Sequence, residues 1–146
     1  MKLGILALTL MLVTAGQTAP AVQPTVQDDV KKEMDKLQGN WAVTMFNGQA
    51  VPADAGFYLV FKGDKYEQWT QNAVDERGTI KLDPKTKPMS IDLIITEGND
   101  AGKTQPGIYE FTDAETISVG LAVPGTTTRP TAIANAELQV TLKKAK

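Results

Sequence analysis

The side chains best suited to nucleophilic and acid–base chemistry are missing from this 146-residue chain, which contains no cysteine and no histidine. Without cysteine, the chain has no thiolate nucleophile, no disulfide and no thiolate ligand for zinc or iron–sulfur clusters. Without histidine, it has no Ser-His-Asp or Cys-His unit and no side chain that titrates near neutrality at its ordinary pKa. Catalysis would therefore depend on carboxylates, lysine, tyrosine or a metal bound through oxygen.

The carboxylates in the middle of the chain occur in turns and on strands, without a second group that would make an acid–base pair. Asp83 precedes Pro84 in a predicted turn, and Asp92 alternates with apolar residues and is predicted to face outward. Two carboxylates in a sequence do not define a catalytic site unless the fold brings them together. We predict turn chemistry here, no catalytic residues and no enzymatic activity.

One glycine-containing loop has the residue types of a calcium site and of a phosphate loop, but the spacing of neither. Glu97, Asn99 and Asp100 are oxygen ligands, yet the alternating acidic spacing of an EF-hand is absent. The G-x-x-x-G-K-T string that starts at Gly98 is one residue short of a Walker A motif and has no strand–loop–helix around it. We expect no metal, no nucleotide and no cofactor.

The overall charge argues against a nucleic-acid partner. The net charge is −2 and the isoelectric point is near 5.1, whereas phosphate recognition needs a clustered basic face. The basic residues near the C-terminus are few, and we interpret them as a solvated tail: Lys143, Lys144 and Lys146.

Residues 1–21 have the pattern of a secretory signal peptide. Lys2 provides a short positive region, and the apolar run from Leu3 to Val13 is too short for a comfortable membrane span. Small residues that end at Ala21 predict cleavage there, with a competing site after Ala15. Because no cysteine is present, anchoring through a lipidated cysteine is excluded.

The mature protein is therefore expected in the periplasm, the cell envelope or the extracellular space, with no stable membrane span after processing. An uncleaved membrane anchor is the alternative. Residues 22–27 are predicted to be a leader or linker, and residues 28–146 a single folded domain, since one domain is the expectation at this length. Without disulfides, core packing alone must stabilise it.

A 3.6-residue period predicts one helix at the start of this domain. Thr25 and Asp28 resemble a capping box, and Gly39 is placed to end the helix. We expect the helix to cover a barrel mouth, with partner binding as the alternative. Four apolar residues share one predicted face: Val26, Val30, Met34 and Leu37.

From Trp41 onward the apolar period changes to two, which predicts strands separated by short glycine, asparagine and proline turns. The single evident helix argues against βαβ units, and an antiparallel sandwich or barrel is favoured. A closed eight-stranded barrel leaves no edges and has room for side chains or one small ligand. The eight strand candidates are Trp41–Phe46, Phe57–Phe61, Tyr66–Thr70, Thr79–Leu82, Ile91–Ile95, Ile108–Phe111, Ile117–Leu121 and Leu138–Leu142.

A set of short motifs occurs in a fixed order along the predicted strands. They are LQGNW from Leu37, FKGDKY from Phe61, GTIKLDP from Gly78, GIYE from Gly107 and the pair at Arg129-Pro130. In this order and spacing they resemble a family of small, often exported, uncharacterised proteins that is abundant in planctomycete bacteria and regarded as lipocalin-like. The resemblance implies an all-β, antiparallel, eight-stranded calycin-type barrel with one N-terminal helix. It implies no catalytic residues.

The same resemblance implies a structural role for Trp41. In lipocalin-like barrels the equivalent tryptophan packs at the closed end, often beneath a basic side chain, and Arg129 is the candidate partner for such a cation–π contact. Lining a ligand cavity is the alternative role for Trp41.

Several aromatic residues are candidates for the wall of a ligand cavity, because such cavities are mostly apolar with a few placed polar groups. We therefore expect an exported, non-enzymatic protein that binds a small apolar or amphipathic ligand in the barrel. The alternative is an envelope protein-interaction module, or an inhibitor of an exported enzyme, that has a filled barrel and acts through the loops Asn47–Gly56 and Val123–Arg129. The cavity candidates are Trp41, Phe57, Phe61, Tyr66, Trp69 and Tyr109.

Overall fold

The structure is a computed structural model that describes residue 16 and residues 18–146. The apolar run of the predicted signal peptide and the competing cleavage site after Ala15 lie outside the described residues. No helix within the described part of the chain is long and apolar enough to cross a membrane.

Helix α1 spans Val26–Leu37 and begins with the predicted capping box. The hydroxyl of Thr25 accepts a hydrogen bond from the Asp28 backbone N–H at 3.3 Å, and the Asp28 carboxylate accepts one from the Thr25 backbone N–H at 3.0 Å. These two bonds satisfy backbone donors that a helix leaves free at its first turn. Val26 is 50% exposed, so the buried face begins later in the helix than predicted.

At the end of α1, Gly39 has a positive φ angle of 109° directly after the C-cap residue Gln38, and the Gln38 side chain adds a second device. The helix stops at Leu37, and Gln38 turns the chain into an extended conformation. The Gln38 side-chain amide donates to the carbonyls of Met34 and Gly63, and its oxygen accepts from the Gly63 N–H. A side chain thus binds one of the free helix carbonyls and also a distant turn.

The strands form one closed, antiparallel barrel of eight strands, as predicted. Each strand pairs with its neighbour in the chain, and β1 also pairs with β9 to complete the cylinder; the two-residue β2 pairs only with the end of β1. The strands are β1 (Gly39–Phe46), β2 (Gln49–Ala50), β3 (Tyr58–Lys62), β4 (Lys65–Thr70), β5 (Ala73–Asp83), β6 (Met89–Glu97), β7 (Thr104–Asp113), β8 (Thr116–Leu121) and β9 (Leu138–Lys144).

Strand β5 is longer than the alternation predicted, because its first half is polar. It forms a hairpin with β4 through Gln71 and Asn72, which both have positive φ angles, 51° and 61°. A two-residue loop in which both residues have positive φ angles has a backbone twist that matches the right-handed twist of the flanking strands. The apolar alternation visible in the sequence begins only at Thr79, within a strand that starts at Ala73.

The two ends of the barrel differ. Helix α1 and the β3–β4, β5–β6 and β7–β8 turns lie at one end, which we call the helix end. The remaining connections lie at the opposite, open end. The helix end holds a dense aromatic core. Trp41 is fully buried there, its indole N–H donates to the Leu37 carbonyl at 2.6 Å, and its ring meets Phe111 edge-on.

The long β8–β9 connection packs on the outer wall of the barrel rather than extending into solvent. A Cβ atom on Gly120 would lie 2.8 Å from Ala136 Cβ and 3.2 Å from Ile133 Cα. Such contacts are too close for any side chain, so glycine at this position allows the connection to lie against β8.

Candidate functional site

The barrel encloses a cavity of about 300 Å³, to which all eight barrel strands contribute inward-facing side chains. The cavity extends from Leu37 and Tyr109 at the helix end to Asp100 and Pro124 at the open end. Its wall is mainly aliphatic and aromatic because inward positions alternate with outward ones along each strand. The interior is therefore not filled completely by its own side chains.

Four of the six predicted aromatic residues line this cavity: Phe57, Phe61, Tyr66 and Tyr109. The prediction is wrong for Trp69, which lies on the outer wall. Its ring stacks on Tyr58 at 5.3 Å between centroids, and its indole N–H donates to Glu67 at 3.0 Å. Trp41 packs in the core of the helix end and is not among the residues that line the cavity.

The predicted Trp41–Arg129 contact is also wrong, although Trp41 does have a basic neighbour. Lys144 Nζ lies 5.3 Å from the centre of the Trp41 ring. The reason is the closure of the barrel, which pairs Trp41 directly with Lys144 in the β1–β9 register. The sequence alone does not reveal whether Arg129 or Lys144 lies over the Trp41 ring, because that depends on how β9 pairs with β1.

Arg129 instead fastens the β8–β9 connection to the outer wall. Its guanidinium donates to the carbonyl oxygens of Ile91 and Gly107 at 3.0 and 2.7 Å, and to the Asp92 carboxylate at 2.7 Å. Asp92 therefore faces outward, as predicted, and forms an ion pair. Because Pro124 of the same connection lines the cavity, Arg129 helps to hold one side of its open end in place.

A polar pair lies inside the cavity on neighbouring strands. The Tyr66 hydroxyl donates a hydrogen bond to Glu76 Oε1 at 2.8 Å. Burial raises the pKa of Glu76; the Tyr66 hydrogen bond opposes this shift, and the nearby Asp100 and Asp75 carboxylates add to it. Burial and the hydrogen bond to Glu76 together raise the pKa of Tyr66 well above its ordinary value, so the phenol stays protonated.

The strand register explains how a carboxylate reaches this position. Glu76 pairs with Gln68 and Gly78 pairs with Tyr66, so these four residues share the inner face of the β4–β5 hairpin. Gly78 makes room for the phenol, since a Cβ there would lie 2.6 Å from the Tyr66 ring and 2.2 Å from the Ile94 carbonyl oxygen. Register irregularities flank Glu76 on both sides, which adjusts the direction of the side chains there.

Sequence reasoning missed Glu76 because the polar first half of β5 did not resemble a strand. A usable pattern was nevertheless present. Ile80 and Leu82 are inward and buried, and the same period of two runs back through Gly78 to Glu76. A carboxylate on the inward register of a barrel strand is the pattern that would have identified it.

The β6–β7 loop, which has the residue types of a calcium site and of a phosphate loop, directs its carboxylates toward basic side chains. Glu97 Oε2 accepts a hydrogen bond from Arg77 at 2.8 Å, and Asp100 Oδ1 accepts one from Lys103 at 2.7 Å. Elsewhere, the Asp83 carboxylate accepts a hydrogen bond from the Lys85 backbone N–H at 3.0 Å, which is the predicted turn chemistry.

A second polar group of residues lies where α1 meets the barrel. Glu33 is buried and pairs through Oε1 with Lys36. Glu33 Oε2 and the Tyr109 hydroxyl are buried and have no hydrogen-bond partner at bonding geometry among the residues that the structure describes. Burial raises the pKa of Tyr109, and the neighbouring Glu33 carboxylate raises it further, so the phenol stays protonated.

The loops Asn47–Gly56 and Val123–Arg129, predicted as the interaction surface of the alternative function, both belong to the open end of the barrel. Val123 is 52% exposed there, while Pro124 lines the cavity. The role of these loops in binding another protein stays a prediction.

Comparison with known proteins adds no relative. The chain matches no protein-family model, and no curated protein and no solved structure is significantly similar to it. The likeness to the planctomycete lipocalin-like family therefore stays a prediction from sequence motifs. Function has to be inferred from the cavity itself.

Proposed function

We propose that this protein binds a small apolar or amphipathic ligand inside its barrel, without converting it chemically, and that it does so after export from the cell. The observation that carries the proposal is the 300 Å³ cavity, whose wall is mainly apolar. Its polar groups are few: the side chains of Gln68, Glu76, Asp100 and Gln105 and the hydroxyls of Tyr66 and Tyr109. Small-molecule sites in proteins combine an apolar wall with a few placed polar groups in this way.

The cavity volume limits the size of the ligand. A cavity of about 150 Å³ accommodates benzene, so 300 Å³ suits a ligand of roughly twelve non-hydrogen atoms. At about 0.5 kcal/mol per atom, such a ligand would bind with roughly 6 kcal/mol, which corresponds to a Kd of tens of micromolar. An extended lipid with two long acyl chains is too large for this space.

An NMR titration with octan-1-ol tests the proposal. We expect saturable shifts at the backbone amides of residues that line the cavity, such as Leu59, Leu93 and Val119. Val119→Phe adds a phenyl ring to the cavity and is expected to weaken binding at least tenfold. Val60→Phe is the matched control, because Val60 lies between the inward-facing Leu59 and Phe61 and faces outward.

Two results would contradict the proposal. Octan-1-ol that binds without saturation, or that shifts only outer-wall amides, would show that the cavity does not accept a ligand. Equal weakening by Val119→Phe and Val60→Phe would show that the loss comes from general destabilisation, and circular dichroism with urea unfolding of both variants checks for that.

A further inference from the structure

We propose that the ligand carries a positively charged head group that binds Glu76, with its aliphatic tail directed toward the helix end of the cavity. This inference rests on the proposed ligand-binding function and adds the chemical class of the ligand. It depends on three features of the cavity: the sign of its charged residues, the unused hydrogen-bonding capacity of Glu76, and the apolar wall beyond it.

The first feature is the sign of the charge. Within the described part of the chain, the charged residues that line the cavity are Glu76 and Asp100, and both are acidic. Asp100 forms an ion pair with Lys103 at 2.7 Å. Glu76 forms no ion pair with any described residue, so its charge has no positive partner supplied by the fold.

The second feature is the capacity of the Glu76 carboxylate to accept more hydrogen bonds. Oε1 accepts one from Tyr66, whereas Oε2 has no donor among the described residues. Glu76 is partly buried, and partial loss of bulk water disfavours a charged carboxylate unless a cation or several hydrogen-bond donors compensate it. A protonated amine supplies both a positive charge and N–H donors.

The position of Glu76 is restricted by the chain around it. Gly98 of the β6–β7 turn lies so close that a Cβ there would be 2.8 Å from the Asp75 carbonyl oxygen and 3.3 Å from Glu76 Cα. The turn therefore packs directly against this part of β5. Tyr66 orients the carboxylate from the other side, so a ligand head would meet an acceptor that is already positioned.

The third feature is the apolar wall from Glu76 to the helix end. This wall consists mainly of aliphatic and aromatic side chains, and Leu37 and Tyr109 form its last part at the helix end. A single chain of about eight carbon atoms with a small head group matches the cavity volume. The chemical class is therefore a cationic, single-chain amphiphile, such as a primary alkylamine.

Calorimetric titration with three probes of equal chain length tests this inference at pH 7. Octylammonium is expected to bind at least tenfold more tightly than octan-1-ol, and octanoate is expected to bind most weakly. Glu76→Gln is expected to reduce octylammonium affinity to that of octan-1-ol and to leave octan-1-ol affinity within twofold of wild type. Gln keeps an oxygen that accepts the Tyr66 hydrogen bond but removes the charge.

Asp75→Asn is the matched control. Asp75 neighbours Glu76 in the chain, is exposed and carries the same charge, so it reports any general effect of surface charge on a cationic probe. We expect this variant to keep the preference for octylammonium. A preference that Asp75→Asn lowers as much as Glu76→Gln would overturn the assignment to Glu76.

The outcomes separate the two proposals. Binding of octan-1-ol with no preference for octylammonium overturns the charged-head inference and leaves ligand binding intact. Failure of all three probes to bind overturns both. The comparison of the three probes on the wild-type protein decides the charge preference even if Glu76→Gln does not fold.

Discussion

Replacing Arg129 with methionine tests how the β8–β9 connection is held against the barrel. Methionine retains an apolar chain of similar length and removes the guanidinium. The substitution deletes two hydrogen bonds to backbone carbonyls, at 3.0 and 2.7 Å, and one ion pair with Asp92 at 2.7 Å. The connection would then be held by its packing against Gly120 and by backbone hydrogen bonds to β7, from Ala122 to Pro106 and from Gly125 to Thr104, both at 2.9 Å.

The magnitude follows from these three contacts. A hydrogen bond from a charged donor contributes roughly 1.5–3 kcal/mol when buried, and an exposed ion pair contributes about 0–1 kcal/mol. The side chains of Arg129 and Asp92 are 33% and 30% exposed, so values near the lower limits apply. At these lower limits the two carbonyl hydrogen bonds contribute about 1.5 kcal/mol each and the ion pair almost nothing. We expect Arg129→Met to lower the free energy of unfolding by about 3 kcal/mol, which moves the urea midpoint by about 1.5 M at a slope of about 2 kcal/mol per M.

Urea unfolding monitored by tryptophan fluorescence measures this loss. Lys31→Met is the control, because it removes an ion pair whose side chains are 75% and 63% exposed, and it is expected to change stability by less than about 0.5 kcal/mol. Asp92→Asn is expected to cost less than Arg129→Met, since it leaves both carbonyl hydrogen bonds in place. A loss below about 0.5 kcal/mol for Arg129→Met would refute the reasoning, because the carbonyl contacts would then contribute nothing.

Three further predictions concern buried groups and the N-terminus. Tyr109→Phe removes a buried hydroxyl that has no hydrogen-bond partner within residues 18–146, and it is expected to raise the free energy of unfolding in urea by about 1 kcal/mol. A loss of stability would show that the hydroxyl is bonded to Glu33. Glu76 has a raised pKa in the folded protein, so the folded state binds the Glu76 proton more tightly than the unfolded state does. The contribution of Glu76 to stability therefore falls as pH rises from the ordinary glutamate pKa through the raised one. Glu76→Gln is therefore expected to gain stability relative to wild type over that pH range, and a difference that stays constant with pH would refute the shift. Intact mass spectrometry of the protein exported by its own host is expected to show a chain that begins at Val22, whereas a start at Gly16 would identify the competing cleavage site after Ala15.

Local patterns of the sequence predicted most elements of the fold, but not the polar first half of β5. Helix α1 follows from its capping box and apolar period, and these depend on residues only a few positions apart. The eight barrel strands follow from alternation and turn residues, and their number and the presence of one helix lead to a closed antiparallel barrel. The inward direction of Phe57, Phe61 and Tyr66 follows from the same alternation.

Only the tertiary structure decided which distant residues meet. Lys144 rather than Arg129 lies over Trp41 because barrel closure pairs β1 with β9, a register that no local pattern reports. Arg129 reaches Asp92 because the β8–β9 connection packs down the outer wall at Gly120. The site depends on the same non-local packing. Sequence alternation determines which side chains point inward, but whether they fill the barrel or leave a cavity beside Glu76 depends on how eight strands pack around one axis.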